Sequence, residues 1–387
     1  VEKSAKETSN SERGGLMQKR CSFSPLSVEQ RRYFLSHKNC YINSFIGNEE
    51  AIRRLSRAVF CAFGKEDHSC SEYSFALCGP PSTGKTHLAK LFAKTLGVPF
   101  VVIEPQMVRK VHDIFEEIKK TCEEYEKDNV QKGDLTLFDF GDNNYTPPPM
   151  VVFIDEVHNL RSNVVQGLLK ATEPTDRIMI TEEGCTISTK NICWLIATTD
   201  RGDLFDAFDT RFQKIVLRLY SREEMAKIIK MSNPDWDDET CLLVAKYNSQ
   251  VPREALAFAR DMRVEHEMHP QDWKLVAARV AEDHGIDPFG MTYMRVEILK
   301  ALGQSPMSAS QLPFVAHVKE DELKKYIMPP LLARTPDQKT PLVTVTSKGY
   351  TITGAGLAEL DKRGICNRGL KAIPESVRFT YEVKNVC

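Results

Sequence analysis

From residue 73 to residue 219 the chain alternates short, unbroken apolar runs with longer stretches whose apolar residues recur at helical spacing. The apolar runs fall at 73–78, 100–103, 150–154, 192–197 and 214–219. Strands apolar on both faces suit a parallel sheet with helices covering each side. Past residue 219 helical stretches take over. Ser221-Arg222-Glu223-Glu224 has the form of a capping box, in which the Ser hydroxyl and the Glu carboxylate satisfy orphan amides at a helix start. Helical patterns follow at 237–247, 253–268 and 272–283, and residues 284–288 read as a linker. Three more helical stretches (292–302, 308–317, 320–328) precede two strands (342–346, 350–353) joined by Ser347-Lys348-Gly349. That order predicts a winged helix.

These patterns divide the chain into a tail over 1–25, a large α/β domain over 26–219, a helical domain over 220–285, the winged helix over 286–372 and a second tail over 373–387. The first tail lacks periodicity and is rich in Ser, Glu and Lys. Two segments interrupt the large domain. A polar stretch at about 129–149 carries Gly133, Phe138, Phe140, Gly141, Tyr145 and Pro147-Pro148-Pro149. It reads as a surface insertion, with a docking loop as the alternative. Residues 176–190 read as a β-hairpin turning at Glu182-Glu183-Gly184.

Composition narrows the partners. The 387 residues are 42% hydrophobic and 27% charged, as in ordinary globular proteins. Lys plus Arg (52) nearly cancel Asp plus Glu (53), so any DNA contact must come from a local patch rather than a global field. The eleven cysteines include no C-x-x-C pair, which removes zinc-ligand spacing and leaves buried, reduced thiols as the expectation. No apolar run approaches the roughly 20 residues that span a bilayer. The resulting expectation is a cytoplasmic chain with no membrane partner.

Gly79-Pro80-Pro81-Ser82-Thr83-Gly84-Lys85-Thr86 fits the P-loop pattern, follows an apolar strand and opens a helical stretch at His87, the context the motif requires. Its backbone amides would wrap the phosphates of ATP, Lys85 would place charge on the β- and γ-phosphates, and the Thr86 hydroxyl would bind Mg2+. Val151-Val152-Phe153-Ile154-Asp155-Glu156 ends a second strand in two acids, Asp155 to complete the Mg2+ shell and Glu156 to polarise the attacking water. A third strand ends at Thr198-Thr199, so Thr199 is expected to hold that water or the γ-phosphate. Arg211, before the last strand, is placed for an arginine finger acting on a neighbouring subunit, against the plainer reading of a surface ion pair. Pro252 reads as a helix start with Arg253 beside it, positioned to report nucleotide state.

Together these motifs resemble one AAA+ family, the RuvB motors of Holliday-junction branch migration. The resemblance is carried by Ile46-Gly47-Asn48, Gly79 to Thr86, Asp155-Glu156-Val157-His158, Ala197-Thr198-Thr199, Arg211-Phe212 and Pro252-Arg253, and it covers about residues 45–364. It implies an AAA+ P-loop domain with a helical lid and a C-terminal winged helix, assembled as a hexameric ring. It also implies that Ile46, Gly47 and His87 line the nucleotide site. In RuvB-like proteins a hairpin at the place of 176–190 docks the junction-binding partner RuvA, so Ile178, Ile180 and Ile187 are expected to form an apolar contact patch or else to pack on this subunit's own core. The family's winged helix touches the duplex arms of four-way junctions, a role that would fall here to Arg334, Lys339 and Lys348. The chain departs from the family at Arg334-Thr335-Pro336-Asp337-Gln338-Lys339, where Asp337 stands in place of a phosphate-binding Arg. An AAA+ clamp-loader-like or protein-remodelling switch, its winged helix turned to protein, is the alternative.

Overall fold

The computed structural model describes residues 25–37, 40–65, 70–130, 144–173, 177–199, 208, 210–248, 251–334 and 337–365, with backbone alone at 126–130, 144–145 and 325. Apart from Pro25, the expected tails lie outside these residues, as do Phe138 and Phe140. The chain divides into two compact units, 1–218 and 219–387.

In the first unit, β1 (Phe75–Cys78), β2 (Phe100–Ile103), β4 (Met150–Ile154), β7 (Ile192–Thr198) and β8 (Gln213–Val216) form one parallel sheet in the order β2-β4-β7-β1-β8. The unbroken apolar runs have a direct cause in the packing. Met150, Val152 and Ile154 of β4 enter one core while Val151 and Phe153 enter the other, and β7 divides in the same way, Trp194 to one side and Leu195 to the other. Both faces of each inner strand are covered, so neither set of alternate positions tolerates polarity. The outer strands β2 and β8 are only partly buried. One face is covered by α4 (Val111–Val130) and α5 (Ser162–Ala171), the other by α2 (Glu49–Ala62) and α3 (Lys85–Leu96). A first helix, α1 (Val28–Ser36), begins on a capping box between Ser27 and Gln30 that the sequence reading passed over.

The expected hairpin is present as β5 (Ile178–Ile180) and β6 (Thr186–Ser188). The short β3 (Asn144–Tyr145), from the end of the insertion, pairs in parallel with β6 and makes the hairpin a three-stranded sheet. The insertion is therefore shorter than a loop over 129–149, since its first residues continue α4 and its last join a strand.

The second unit opens on the expected capping box, with both Ser221 and Glu224 bonds formed, at the start of α6 (Arg222–Ser232). Helices α7 (Asp238–Tyr247), α8 (Pro252–Met268) and α9 (Trp273–Asp283) close one core around Tyr220, Phe258 and Ile286. A second core gathers α10 (Tyr293–Gln304), α11 (Leu312–Ala316), a helical run over Glu320–Glu322, Leu323–Ile327 and Met328–Leu332, the antiparallel strands β9 (Val343–Thr346) and β10 (Gly349–Ile352), and α12 (Gly354–Lys362). The helix expected to end at 328 continues to Leu332. It widens to a π-turn at Leu323–Ile327 just ahead of Pro329 and Pro330, whose missing N–H groups cannot serve an α ladder. The eight described cysteines are free and six of them are buried. Among the described residues no helix is long and apolar enough to cross a membrane.

Candidate functional site

The sheet order determines which motifs can meet. Because β7 lies between β1 and β4, the segments leaving the C-terminal ends of these three strands emerge side by side. That is where open α/β sheets bind ligands. The segments are the P-loop after β1, Asp155-Glu156 after β4 and Thr199 after β7.

The P-loop is held from below. Gly79 N donates to Thr198 O at 3.3 Å, and a Cβ on Gly79 would lie 2.5 Å from the Leu217 carbonyl oxygen, so the strand passes β8 only as glycine. Ser82 and Gly84 take left-handed conformations, and Thr83, fully buried, donates its hydroxyl to Pro80 O at 2.9 Å. The bend leaves Gly84 as the N-cap of α3, with no side chain to cap the helix. Backbone amides at such a start suit a phosphate. Lys85 Nζ donates to Gly79 O and Pro80 O, each at 3.0 Å, which brings its charge to the loop.

Thr86 Oγ1 donates to Asp155 Oδ2 at 2.8 Å. This hydroxyl and carboxylate are the two oxygen donors that Mg2+ takes from P-loop proteins, so the donor set fits the ion. Glu156 has φ 49°, a left-handed backbone that is strained for a side chain of this kind, on the order of 1–3 kcal/mol. Its Oε2 accepts from Thr199 N (3.0 Å) and Thr199 Oγ1 (2.9 Å), and His158 Nδ1 lies 3.4 Å away. His158 Nδ1 is also 3.0 Å from Thr198 Oγ1. Thr199, expected to hold water or phosphate, thus grips the neighbouring acid.

On the other side, Ile46 and Gly47 lead into Asn48, both Gly47 and Asn48 left-handed. Asn48 bridges the backbone of Arg218 through Nδ2 to its carbonyl (3.3 Å) and Oδ1 from its amide (2.7 Å). This clamp went unforeseen, although a Gly-Asn pair is itself a signal for left-handed backbone. Phe45 stacks on His87 at 6.1 Å, and burial, with the Lys90 charge second, lowers the His87 pKa and favours the neutral ring. Arg211 Nη2 meets Glu173 Oε1 at 3.1 Å, a partner the sequence did not suggest. Arg253 is the second residue of α8 in the other unit.

The chain's likenesses follow the same lines. Residues 75–219 match the family described as "ATPase family associated with various cellular activities (AAA)". The proteins named Holliday junction branch migration complex subunit RuvB from Campylobacter hominis and Anaplasma marginale are each 26% identical to it. The alignments cover 80% of this chain in both cases, and 86% and 90% of those proteins. These likenesses support a divergent member of the RuvB family. In fold, the Thermotoga maritima RuvB Holliday junction branch migration motor superposes with a TM-score of 0.62 at 24% identity, over 85% of this chain and 98% of that one. The chain is accordingly an AAA+ ATPase that works with ATP and Mg2+.

The hairpin requires one correction. Met179 and Ile187 are cross-strand partners and both are fully buried in the core over α4 and α5. Ile187 therefore belongs to no contact patch. Side chains alternate along a strand, which turns Ile178 and Ile180 to the other face, and Ile180 is 47% exposed. Glu182 at the turn accepts from Val111 N (3.0 Å) and His112 N (3.2 Å), pinning the hairpin tip to the start of α4. Arg334, Lys339 and Lys348 are exposed. Asp337 accepts from Arg222 N at 2.7 Å, which gives the acid a structural task at the start of α6.

Proposed function

We propose that this chain is a ring-forming motor that uses ATP to drive duplex DNA through four-way junctions, the branch migration for which its relatives are named. The observation that carries the reading is the meeting of Thr86 with Asp155 and of Glu156 with Thr199 at the ends of three adjacent strands. In this reading the amides of Gly79 to Thr86 bind the phosphates, with Ile46, Gly47 and His87 at the rim, and Lys85 supplies positive charge. Thr86 and Asp155 hold Mg2+, which neutralises charge on the phosphates during transfer. Glu156 takes the proton of the attacking water, and Thr199 keeps its carboxylate oriented. Arg211 serves the site of the next subunit in a homo-oligomer, taken here as a hexamer, and Arg253 reads out nucleotide state. A winged helix over 286–372 contacts DNA phosphates through Arg334, Lys339 and Lys348, and the hairpin face with Ile178 and Ile180 receives a RuvA-like junction-binding protein.

A second reading has one observation in its favour. The third helical run of the C-terminal core begins Glu320-Asp321-Glu322, three acids in its first turn, and Asp337 is engaged with α6. Acids at these positions suit a protein partner better than a phosphate backbone, with Lys324, paired to Glu320, offsetting part of their charge. Steady-state ATPase, titrated with duplex and four-way-junction DNA at low and moderate salt and with Lys85→Ala as blank, separates the two. Stimulation by junctions that falls steeply with salt supports the DNA motor. A rate indifferent to DNA with and without a RuvA-type partner favours the protein-remodelling switch, and normal turnover in Glu156→Gln would refute the assignment of the acid.

A further inference from the structure

We infer that Glu173 is the residue that positions the Arg211 guanidinium for the neighbouring subunit's nucleotide, an inference that rests on the proposal that Arg211 acts in trans. The ion pair joins Arg211 Nη2 to Glu173 Oε1 at 3.1 Å, with the side chains 26% and 41% exposed. A finger must reach outward on a long chain with several free torsions, and only a fixed partner can hold such a chain in one direction.

Both backbones are anchored. Glu173 N donates to Lys170 O, Thr172 bonds back to Leu168 O through its amide and its hydroxyl, and the Ala171 carbonyl accepts the buried Thr189 hydroxyl at 2.6 Å. The carboxylate thus stands on the closed end of α5 and is tied to the segment that leads into β7. Arg211 N and Phe212 N both donate to Phe208 O, and the Phe208 and Phe212 rings pack edge to face at 5.4 Å in the core. Between these two anchored backbones the side chains meet, and the Glu173 carboxylate holds the Nη2 end of the guanidinium. A half-exposed pair of this kind adds little to stability, so its loss leaves the fold intact and reports on placement. Helix α5 begins shortly after Glu156 and ends just before Glu173, so the helix lies between a subunit's own catalytic acid and the holder of the arginine it lends.

Glu173→Gln keeps the size and removes the charge. The expected result is a kcat lower by about 10- to 100-fold, the scale of a small misplacement of a catalytic group, with KM for ATP and the melting temperature unchanged. The decisive measurement mixes subunits. Glu156→Gln subunits have dead sites but intact fingers, so on mixing they should lend a correctly held Arg211 to the working sites of Glu173→Gln subunits. The mixture should then exceed the weighted sum of its parts, as should the parallel mixture with Arg211→Ala. If Arg211→Ala is complemented and Glu173→Gln is not, or if Glu173→Gln turns over at the wild-type rate, Glu173 has no positioning role. If neither is complemented, the trans reading of Arg211 itself fails and this inference with it.

Discussion

Arg363 and Asp287 form a salt bridge that is closed to solvent, each side chain 1% exposed, with Nε 2.6 Å from Oδ2. Asp287 lies just after the core of α6 to α9, in the segment expected as a linker, and Arg363 follows α12. Asp287 also accepts from Phe289 N and Met291 N, at 3.0 and 2.9 Å, and Arg363 Nη1 donates to Glu359 at 2.7 Å. Arg363→Met would leave the Asp287 carboxylate buried with only two amides, and removing one member of a buried pair costs about 3–5 kcal/mol. That is a large share of a stability of roughly 5–15 kcal/mol. With an m value of about 2 kcal/mol/M, the urea midpoint should fall by about 2 M. Asp287→Asn should cost less, because its carbonyl keeps the amide bonds and Glu359 still faces the arginine. The double variant should recover part of the loss, giving a measurable coupling energy. Tryptophan fluorescence suits the assay, since Trp236 and Trp273 pack together at 5.0 Å in the same unit. The exposed Lys324–Glu320 pair, its side chains 51% and 49% exposed, is the control and should cost under about 1 kcal/mol. A loss of that same small size for Arg363→Met would mean that the pair is hydrated and not a buried ion pair.

Two further outcomes are expected. Ile187→Ala should destabilise the first unit by about 2–5 kcal/mol as a fully buried side chain is cut back, while Ile180→Ser should shift the melt little and, in the proposed function, lose partner stimulation; equal melts for the two would show that the hairpin faces are wrongly assigned. Burial pushes the Glu182 carboxyl up, but the amide bonds from Val111 and His112 outweigh it and hold its pKa below the usual glutamate value. A depressed folded pKa contributes stability above the unfolded value of about 4.3, lost as pH falls through the folded one, so wild type and Glu182→Gln should differ at neutral pH and converge in acid. A constant difference across that range would remove the charge from the explanation.

What the sequence determined by itself was local in the chain. The glycines, Lys85 and Thr86 of the P-loop are covalent neighbours whose spacing alone specifies a bend between strand and helix, and Asp155-Glu156 is legible because an apolar run ends there. The Ser221 to Glu224 cap and the double-sided burial of β4 and β7 were readable for the same reason, because each depends on residues a few positions apart. The relations between distant segments were left to the tertiary structure. Nothing in the spacing says that β7 slides between β1 and β4, yet only that order brings Thr199 to Glu156 and Thr86 to Asp155. The run Ile178-Met179-Ile180 is apolar at every position, so its period cannot tell which face turns inward until the cores of α4 and α5 claim Met179 and Ile187. Glu173 and Asp287 read as ordinary polar residues, and neither the motif around Asn48 nor the acid at Asp337 named the group each would bind. Their tasks come from partners far along the chain, and a charge or an amide carries no mark of its partner until folding brings the two within a hydrogen bond.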